Sequence, residues 1–381
     1  MVHLPNVPSS YQIMLILTHE CNLKCSYCYE HNREKVLVDK EKMKQIISYY
    51  LNSTKYEEII IEFFGGEPWL KKDTIIELCE WTWSLQWRNK YRFFTSTNGT
   101  LIHGEIQQWL HKHNKKISCG LSLDGMPQIH NANRCNSYHN IDINFFLENW
   151  PTQPIKMTIS PQSLKFLAKN IIYIHSLGFN LAGTNFAEGI DWSNPSYVAI
   201  LYKQLATLVD FYIENPTIPI APIINMPIEY CEYEKINQPN KYCAVRGLLA
   251  YDTDGTPYPC NFITPMTFSQ EKLSKLKLTD FEDDNNLIDK YCYNQCYFYN
   301  ICPNCYGANL LVNNNLAIRD KSVCNLIKLR AYFSAVLKAH NIIRNKANLS
   351  QDNDVIALEI KAIENIKTIC EEGVIKTIKS T

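Results

Sequence analysis

No apolar run in this sequence reaches the roughly 18 residues needed to cross a bilayer, which excludes a membrane-spanning helix. The opening residues, MVHLPNVPSSYQ, lack a basic start followed by an apolar stretch, so no secretory signal is visible. There is no surplus of charge either: 38 Lys and Arg balance 38 Asp and Glu. Bulk attraction to nucleic acid needs a basic face, so at most a local groove remains for that role. Internal repeats are missing, and no histidines pair at i, i+4, so no histidine-based metal site is indicated. These absences predict a cytoplasmic protein that binds neither nucleic acid nor membrane.

What is abundant is cysteine, 15 in 381 residues. In a reducing compartment thiols on this scale read as ligands of metals or clusters rather than as disulfides. The length and 46% hydrophobic content suffice for two domains, or for one large barrel with an appendage.

Periodicity predicts strands over 11–19, 59–64, 92–98, 117–125, 155–161 and 180–189. Helices are predicted over 74–87, 105–114, 163–179 and 197–215, and another follows Asp39 as N-cap, with Met43, Ile46, Ile47, Tyr50 and Leu51 on one face. Six strand–helix units imply a parallel sheet with helical crossovers, and chemistry in such sheets gathers at the C-terminal strand ends. The unusual residues fall there: Cys21 to Cys28, the GGEP of Gly65 to Pro68, Asn98, the SLDG of Ser122 to Gly125, Ser160 and Asn185. Near 235 the texture turns polar, giving expected domains of 1–235, 236–330 and 331–381. The last is helical, with a packing stripe of Ile356, Ile360, Ile363, Ile366 and Ile369 ended by Gly373.

Cys21, Cys25 and Cys28 stand at C-x3-C-x2-C spacing, an incomplete shell for zinc, which closes structural sites with four protein ligands. His19 or His31 is the available fourth ligand. An iron–sulfur cluster with one open iron is the alternative. The motif, with Tyr27 before its last cysteine, resembles the radical S-adenosylmethionine (SAM) superfamily. That resemblance covers residues 10–190 and implies a partial (β/α)6 TIM-like barrel, with a [4Fe–4S] cluster on the three cysteines and SAM on its open iron. It also implies that the backbone of Gly65, Gly66 and Pro68, with Glu67, meets the SAM amino group. Ser122, Asp124 and Arg134 would lie toward the methionine carboxylate, and Asn98 would face the cofactor.

Downstream, Cys243, Cys260, Cys292, Cys296, Cys302, Cys305 and Cys324 run as C-x11-G-x4-C, then C-x3-C-x5-C-x2-C, then C, with Gly255 in the first block. This resembles the SPASM domain, which holds two auxiliary [4Fe–4S] clusters, although spacing departs from the usual module at both ends of the central block. The resemblance implies an outer cluster on Cys292, Cys296, Cys302 and Cys324, and an inner one on Cys243, Cys260 and Cys305. The inner set lacks a fourth ligand; Cys231 or a substrate thiolate could take the position. Cys79, Cys119 and Cys370 read as small buried hydrophobes, and Cys135 as structural.

Enzymes of this type mostly modify peptides. A maturase of ribosomally made precursor peptides, forming a thioether or C–C crosslink after hydrogen abstraction by the 5′-deoxyadenosyl radical, is the expected function. Alternatives are a formylglycine-generating sulfatase maturase, a peptide epimerase or dehydrogenase, and a non-enzymatic iron–sulfur electron-transfer scaffold. The sulfatase-maturing pattern has a basic Asp after the G-x4-C cysteine, where Asn261 stands here. Asp252 and Asp254 read as turn formers. With the first cluster reached by residue 21, no leader-binding domain is expected ahead of it. Peptide recognition is then expected from the barrel face, the C-terminal helices or a separate leader-binding protein, with a flavodoxin- or ferredoxin-type electron donor.

Overall fold

The computed structural model describes residues 10–181, 183–234, 243, 245, 247–276, 281, 287–344 and 353–380. They form two compact units interleaved along the chain: residues 1–123, 130–153 and 244–283 in the first, and 124–129, 154–243 and 284–381 in the second. This grouping by compactness cuts the chain differently from its texture, since residues 244–283 join the N-terminal unit.

The first unit is built on β1 (Ser10–Thr18), β2 (Glu58–Gly65), β3 (Lys90–Thr97) and β4 (Ile117–Leu121), all parallel. Helices α1 (Lys40–Leu51), α2 (Lys72–Trp83) and α3 (Glu105–His113) make the crossovers. Ile13, Leu15, Ile16 and Leu17 are inaccessible to solvent, as a strand covered on both faces requires. Each such side chain contributes about 1.5–3 kcal/mol. Asp39 caps α1 as expected, accepting from the Lys42 N–H at 2.9 Å. A fifth strand, β7 (Leu248–Tyr251), lies parallel to β1 on its other side, with the short antiparallel β8 (Pro257–Tyr258) beyond it, so the order is β4-β3-β2-β1-β7-β8.

In the second unit β5 (Thr158–Ile159) and β6 (Asn185–Phe186) pair with each other, parallel. Six parallel strands of the expected alternation are present, four of them in the six-stranded sheet of the first unit and two as this short pair. Helix Pro195–Glu214 packs on helix Cys324–Arg344, which packs on helix Asn353–Cys370. Lys338 bridges Glu229 and Glu359 there, at 3.0 and 2.7 Å. The predicted isoleucine stripe is shifted: Ile356, Ala362, Ile366 and Cys370 face inward, whereas Ile360 and Ile369 are exposed. The inward face follows the 3.6-residue turn over five turns, and the stripe drifted off it. Among the described residues no helix is long and apolar enough to cross a membrane.

Candidate functional site

The first site lies where β1 and β2 end. The register slips between Ile16 and Thr18, and Thr18 then pairs with Gly65. Gly66 N–H donates to Thr18 O at 3.2 Å, and Glu67 N–H donates to Glu20 O at 3.0 Å. The approach is too close for a side chain. A Cβ on Gly65, whose φ is +142°, would lie 2.2 Å from Thr18 O, and one on Gly66 would lie 2.5 Å from Glu20 O. The two glycines thereby clamp the segment entering Cys21 against the end of β2.

Glu67 is 1% exposed and sits beneath this clamp. Its Oε1 accepts from the Thr97 hydroxyl at 2.8 Å and Trp69 N–H at 3.3 Å, and its Oε2 accepts from Asn98 N–H at 2.8 Å. Burial lifts its pKa to about 7, against the lowering pull of those donors and of Arg134. Pro68, buried beside it, opens a short 3-10 turn. The Asn98 carboxamide reaches the cysteine loop, donating from Nδ2 to Asn22 Oδ1 at 2.9 Å, while its Oδ1 accepts from Thr100 N and Oγ1 at 3.0 and 2.7 Å.

Cys21, Cys25 and Cys28 are half-buried thiols. Burial pushes Cys21 up to about 12 and Cys28 in the same direction. Thiolates so placed need a cation, and Arg33 faces all three. Its guanidinium donates to Leu23 O and, at 3.3 Å, to Glu30 O. Arg134, 7% exposed, holds its guanidinium 5.4 Å from the Tyr27 ring centre. Among the described residues no three metal-binding side chains stand close enough to share one ion. Ligands of a four-iron cluster each hold a separate iron and are spread accordingly. The thiol set, its cation and the glycine clamp fit a cluster. Neither histidine completes the shell: His19 Nε2 is bound to Asp252 Oδ1 at 2.6 Å, and His31 is exposed.

Several bracing residues were not visible in the sequence: Asn22, Arg33, and the turn at Cys135 and Asn136, both left-handed at φ 55° and 56°. Cys135 is exposed, not buried; its Sγ donates to Lys24 O at 3.0 Å and accepts from Lys24 N at 3.2 Å. Ser26 N donates to Asn133 O nearby at 2.9 Å. Cys135→Ala removes the clasp on Lys24 and Cys135→Ser retains it. Iron loss from the first cluster to a chelator is therefore expected to quicken several-fold in the first variant and not in the second, read by the decay of the cluster absorbance.

The other expected site residues have structural partners. Ser122 N–H donates to Thr97 O at 2.9 Å. Asp124, fully buried in the second unit, accepts from Thr158 N–H at 3.2 Å. Ser160 and Ser163 close a turn on each other at 2.9 and 3.2 Å, and Asn185 is exposed. Asp254 is a turn former, accepting from Thr256 N at 2.8 Å, whereas Asp252 also holds His19. Asn261 donates to the Tyr29 hydroxyl at 2.9 Å, and Tyr29 stacks on Phe262.

In the second unit Cys296 neighbours Cys292, Cys302 and Cys324. Asp289 seats Cys292 by accepting its N–H at 3.0 Å. Cys296 thus lies within electrostatic reach of each of the other three expected outer ligands. Cys231 faces Cys296, with Cys370 and Glu232 also beside it. Of the expected inner ligands, Cys305 caps helix Tyr306–Asn313 and Cys243 is half-buried, both in the second unit. Cys260, in the first unit, packs against Met14, Ile16, Phe64 and Met266. Cys79, Cys119 and Cys370 are buried hydrophobes as expected.

Residues 12–139 match the family described as a 4Fe-4S single cluster domain. The radical SAM cyclopropyl synthase TigE of Paramaledivibacter caminithermalis is 24% identical over 372 residues, spanning 83% of this chain and 72% of TigE. A cysteine-type anaerobic sulfatase-maturating enzyme of Clostridium perfringens is 32% identical over 126 residues, 30% of this chain, and the match spans only 32% of that enzyme's length. Among solved structures, anSMEcpe with bound AdoMet superposes with a TM-score of 0.67 at 19% identity, covering 92% of this chain and 98% of that one. Streptococcus suis SuiB, bound to its precursor peptide SuiA, gives 0.55 at 18% identity, covering 82% and 75%. The clamped cysteine triplet lies within the matched 4Fe-4S single cluster domain, and over most of its length the chain is similar to a radical SAM enzyme, sharing its fold with an AdoMet-binding one.

Proposed function

We propose that the chain is a peptide maturase that closes a thioether or carbon–carbon bond in a ribosomally made precursor. The observation that carries this reading is the long match to TigE, a cyclopropyl synthase, over 83% of the chain. The fold shared with SuiB, solved with its precursor peptide, supports a peptide as substrate. When bound, the first cluster and SAM would supply a 5′-deoxyadenosyl radical able to take one hydrogen atom from the peptide, and auxiliary clusters would offer an acceptor for the electron left when a second hydrogen departs as a proton. The chain's own residues orient and brace. A carboxylate offers about four lone-pair sites; three donors occupy Glu67, and the remaining site is free for the SAM ammonium beside the Gly65 and Gly66 carbonyls. Arg134, steadied by Tyr27, receives the SAM carboxylate with Ser122. Asn98 fixes the cysteine loop through Asn22, and Asp124 secures the start of β5.

Sulfatase maturation is the second reading, favoured by the Clostridium perfringens match. It needs a base after the G-x4-C cysteine, and the Asn261 carboxamide cannot take up that proton. Mass spectrometry of a short cysteine-bearing peptide encoded beside this protein, treated with reconstituted enzyme, SAM and dithionite, separates the readings. A loss of two hydrogens with sulfur retained is expected. Conversion of cysteine to an aldehyde would establish the second reading, and an unchanged peptide together with intact SAM would leave only an electron carrier.

A further inference from the structure

The second unit holds a buried cation that the proposed chemistry does not use. Arg319 is 7% exposed. A guanidinium out of water needs a negative partner, because an unpaired buried charge costs several kcal/mol, on the order of 3–5 when a pair is broken. Among the described residues no carboxylate forms an ion pair with it; the titratable groups facing it are Cys302, Tyr299 and Cys292, and burial raises the pKa of both thiols. Cys302 is within hydrogen-bonding reach of the guanidinium. The Tyr299 ring fixes the opposite face, 4.3 Å from Cζ. Asp289 seats both ends of this arrangement, accepting the backbone N–H of Arg319 and of Cys292 at 3.0 Å each. One nitrogen, Nη1, is buried and has no hydrogen-bond acceptor. A buried donor without an acceptor is therefore held on a rigid mount beside Cys292 and Cys302, two of the four expected outer ligands.

We infer that Arg319 is the counter-ion of the outer auxiliary cluster, its Nη1 donating to cluster sulfur, and that it raises that cluster's reduction potential. The inference rests on the reading of those four cysteines as the outer ligands. Reduction adds one negative charge to an already anionic cluster, and a fixed cation in a poorly polarisable interior favours the more negative state. The neighbouring cations are placed differently. Arg330 also bears electrostatically on Cys302, but its Nε and Nη2 donate to the carbonyls of Ile223 and Pro222 at 2.9 and 3.3 Å, and Lys328 faces Cys324. Arg319 is thus a positioning residue, setting how readily the outer cluster holds an electron.

The test is a redox titration of the full-length, reconstituted protein followed by electron paramagnetic resonance. The outer-cluster signal is identified as the one lost in Cys324→Ala. Arg319→Met is expected to lower the fraction of outer cluster reduced at a fixed poise at least tenfold, about 59 mV for a one-electron couple. Arg319→Lys, which keeps the charge, is expected to restore most of the shift. Should Arg319→Met shed the cluster, Arg319→Gln removes the charge while keeping N–H donors, and its potential is expected to fall in the same direction. An unchanged potential in these neutral variants overturns the inference while leaving the ligand reading intact. If Cys324→Ala loses no cluster signal and no iron, the ligand reading itself is overturned, and the inference with it.

Discussion

Gly66→Ala is expected to reduce the yield of 5′-deoxyadenosine at least a hundredfold, about 2.7 kcal/mol in barrier terms. The new Cβ would stand 2.5 Å from Glu20 O and 2.8 Å from His19 O. Both atoms belong to backbone, so no flexible side chain can swing away. Either the end of β2 withdraws, breaking the bond from Gly66 N–H to Thr18 O, or the segment leading into Cys21 is pushed outward. Overpacking of this kind costs roughly 1–3 kcal/mol in stability. The functional loss should exceed the stability loss, because the displaced segment carries a cluster ligand and an error of about 1 Å at a reacting centre costs on the order of a hundredfold. Gly104→Ala is the control: a Cβ there meets nothing within 4 Å, although its φ of +54° still carries backbone strain. Comparable melting-temperature losses in the two variants, with normal product yield in Gly66→Ala, would show that the clamp is structural only.

The parts of this molecule legible in the sequence are those where local chemistry dictates spacing. β1 to β4 and their helices could be read because buried parallel strands are continuous apolar runs and their crossovers are amphipathic. The cysteines could be read because thiolates that share a cluster must return at short intervals. What escaped depends on the tertiary fold. Leu248–Tyr251 is a four-residue strand without a crossover helix of its own, in a region whose cysteines dominate its texture. Pairing with β1 on one edge and β8 on the other makes it a strand. The shortness of β5 and β6 was hidden because an apolar run does not report how much of it finds a pairing partner. Arg33 and Arg319 carry no local signal at all: a lone arginine in a polar stretch reads as solvated until the fold sets it against thiols. Asn98 was expected to face the cofactor; its carboxamide is engaged with Asn22 and Thr100, holding the loop, which no local signal announces.

Glu67 separates charge from shape in the same site. Glu67→Gln is nearly isosteric, and at most other buried positions it would be mild. Here its two oxygens receive three donors that cannot all be served by an amide. Set with its carbonyl toward Thr97 and Trp69, the glutamine turns its NH2 onto the Asn98 N–H and strands that donor. The reverse orientation strands the Trp69 N–H and leaves only the rotatable Thr97 hydroxyl to adapt. One stranded buried donor costs about 1–3 kcal/mol, and the Arg134 guanidinium also loses an opposing charge. The variant is expected to melt earlier, to bind SAM at least tenfold more weakly in calorimetry, and to keep its full iron content, since no cysteine is touched. Glu67→Ala strands all three donors and leaves a cavity, so it should destabilise the protein more than Glu67→Gln, on the order of 4 kcal/mol or greater. If Glu67→Gln bound SAM like the wild type while melting earlier, Glu67 would be a brace for β3 alone, and the ammonium of SAM would have to be held by the Gly65 and Gly66 carbonyls without it.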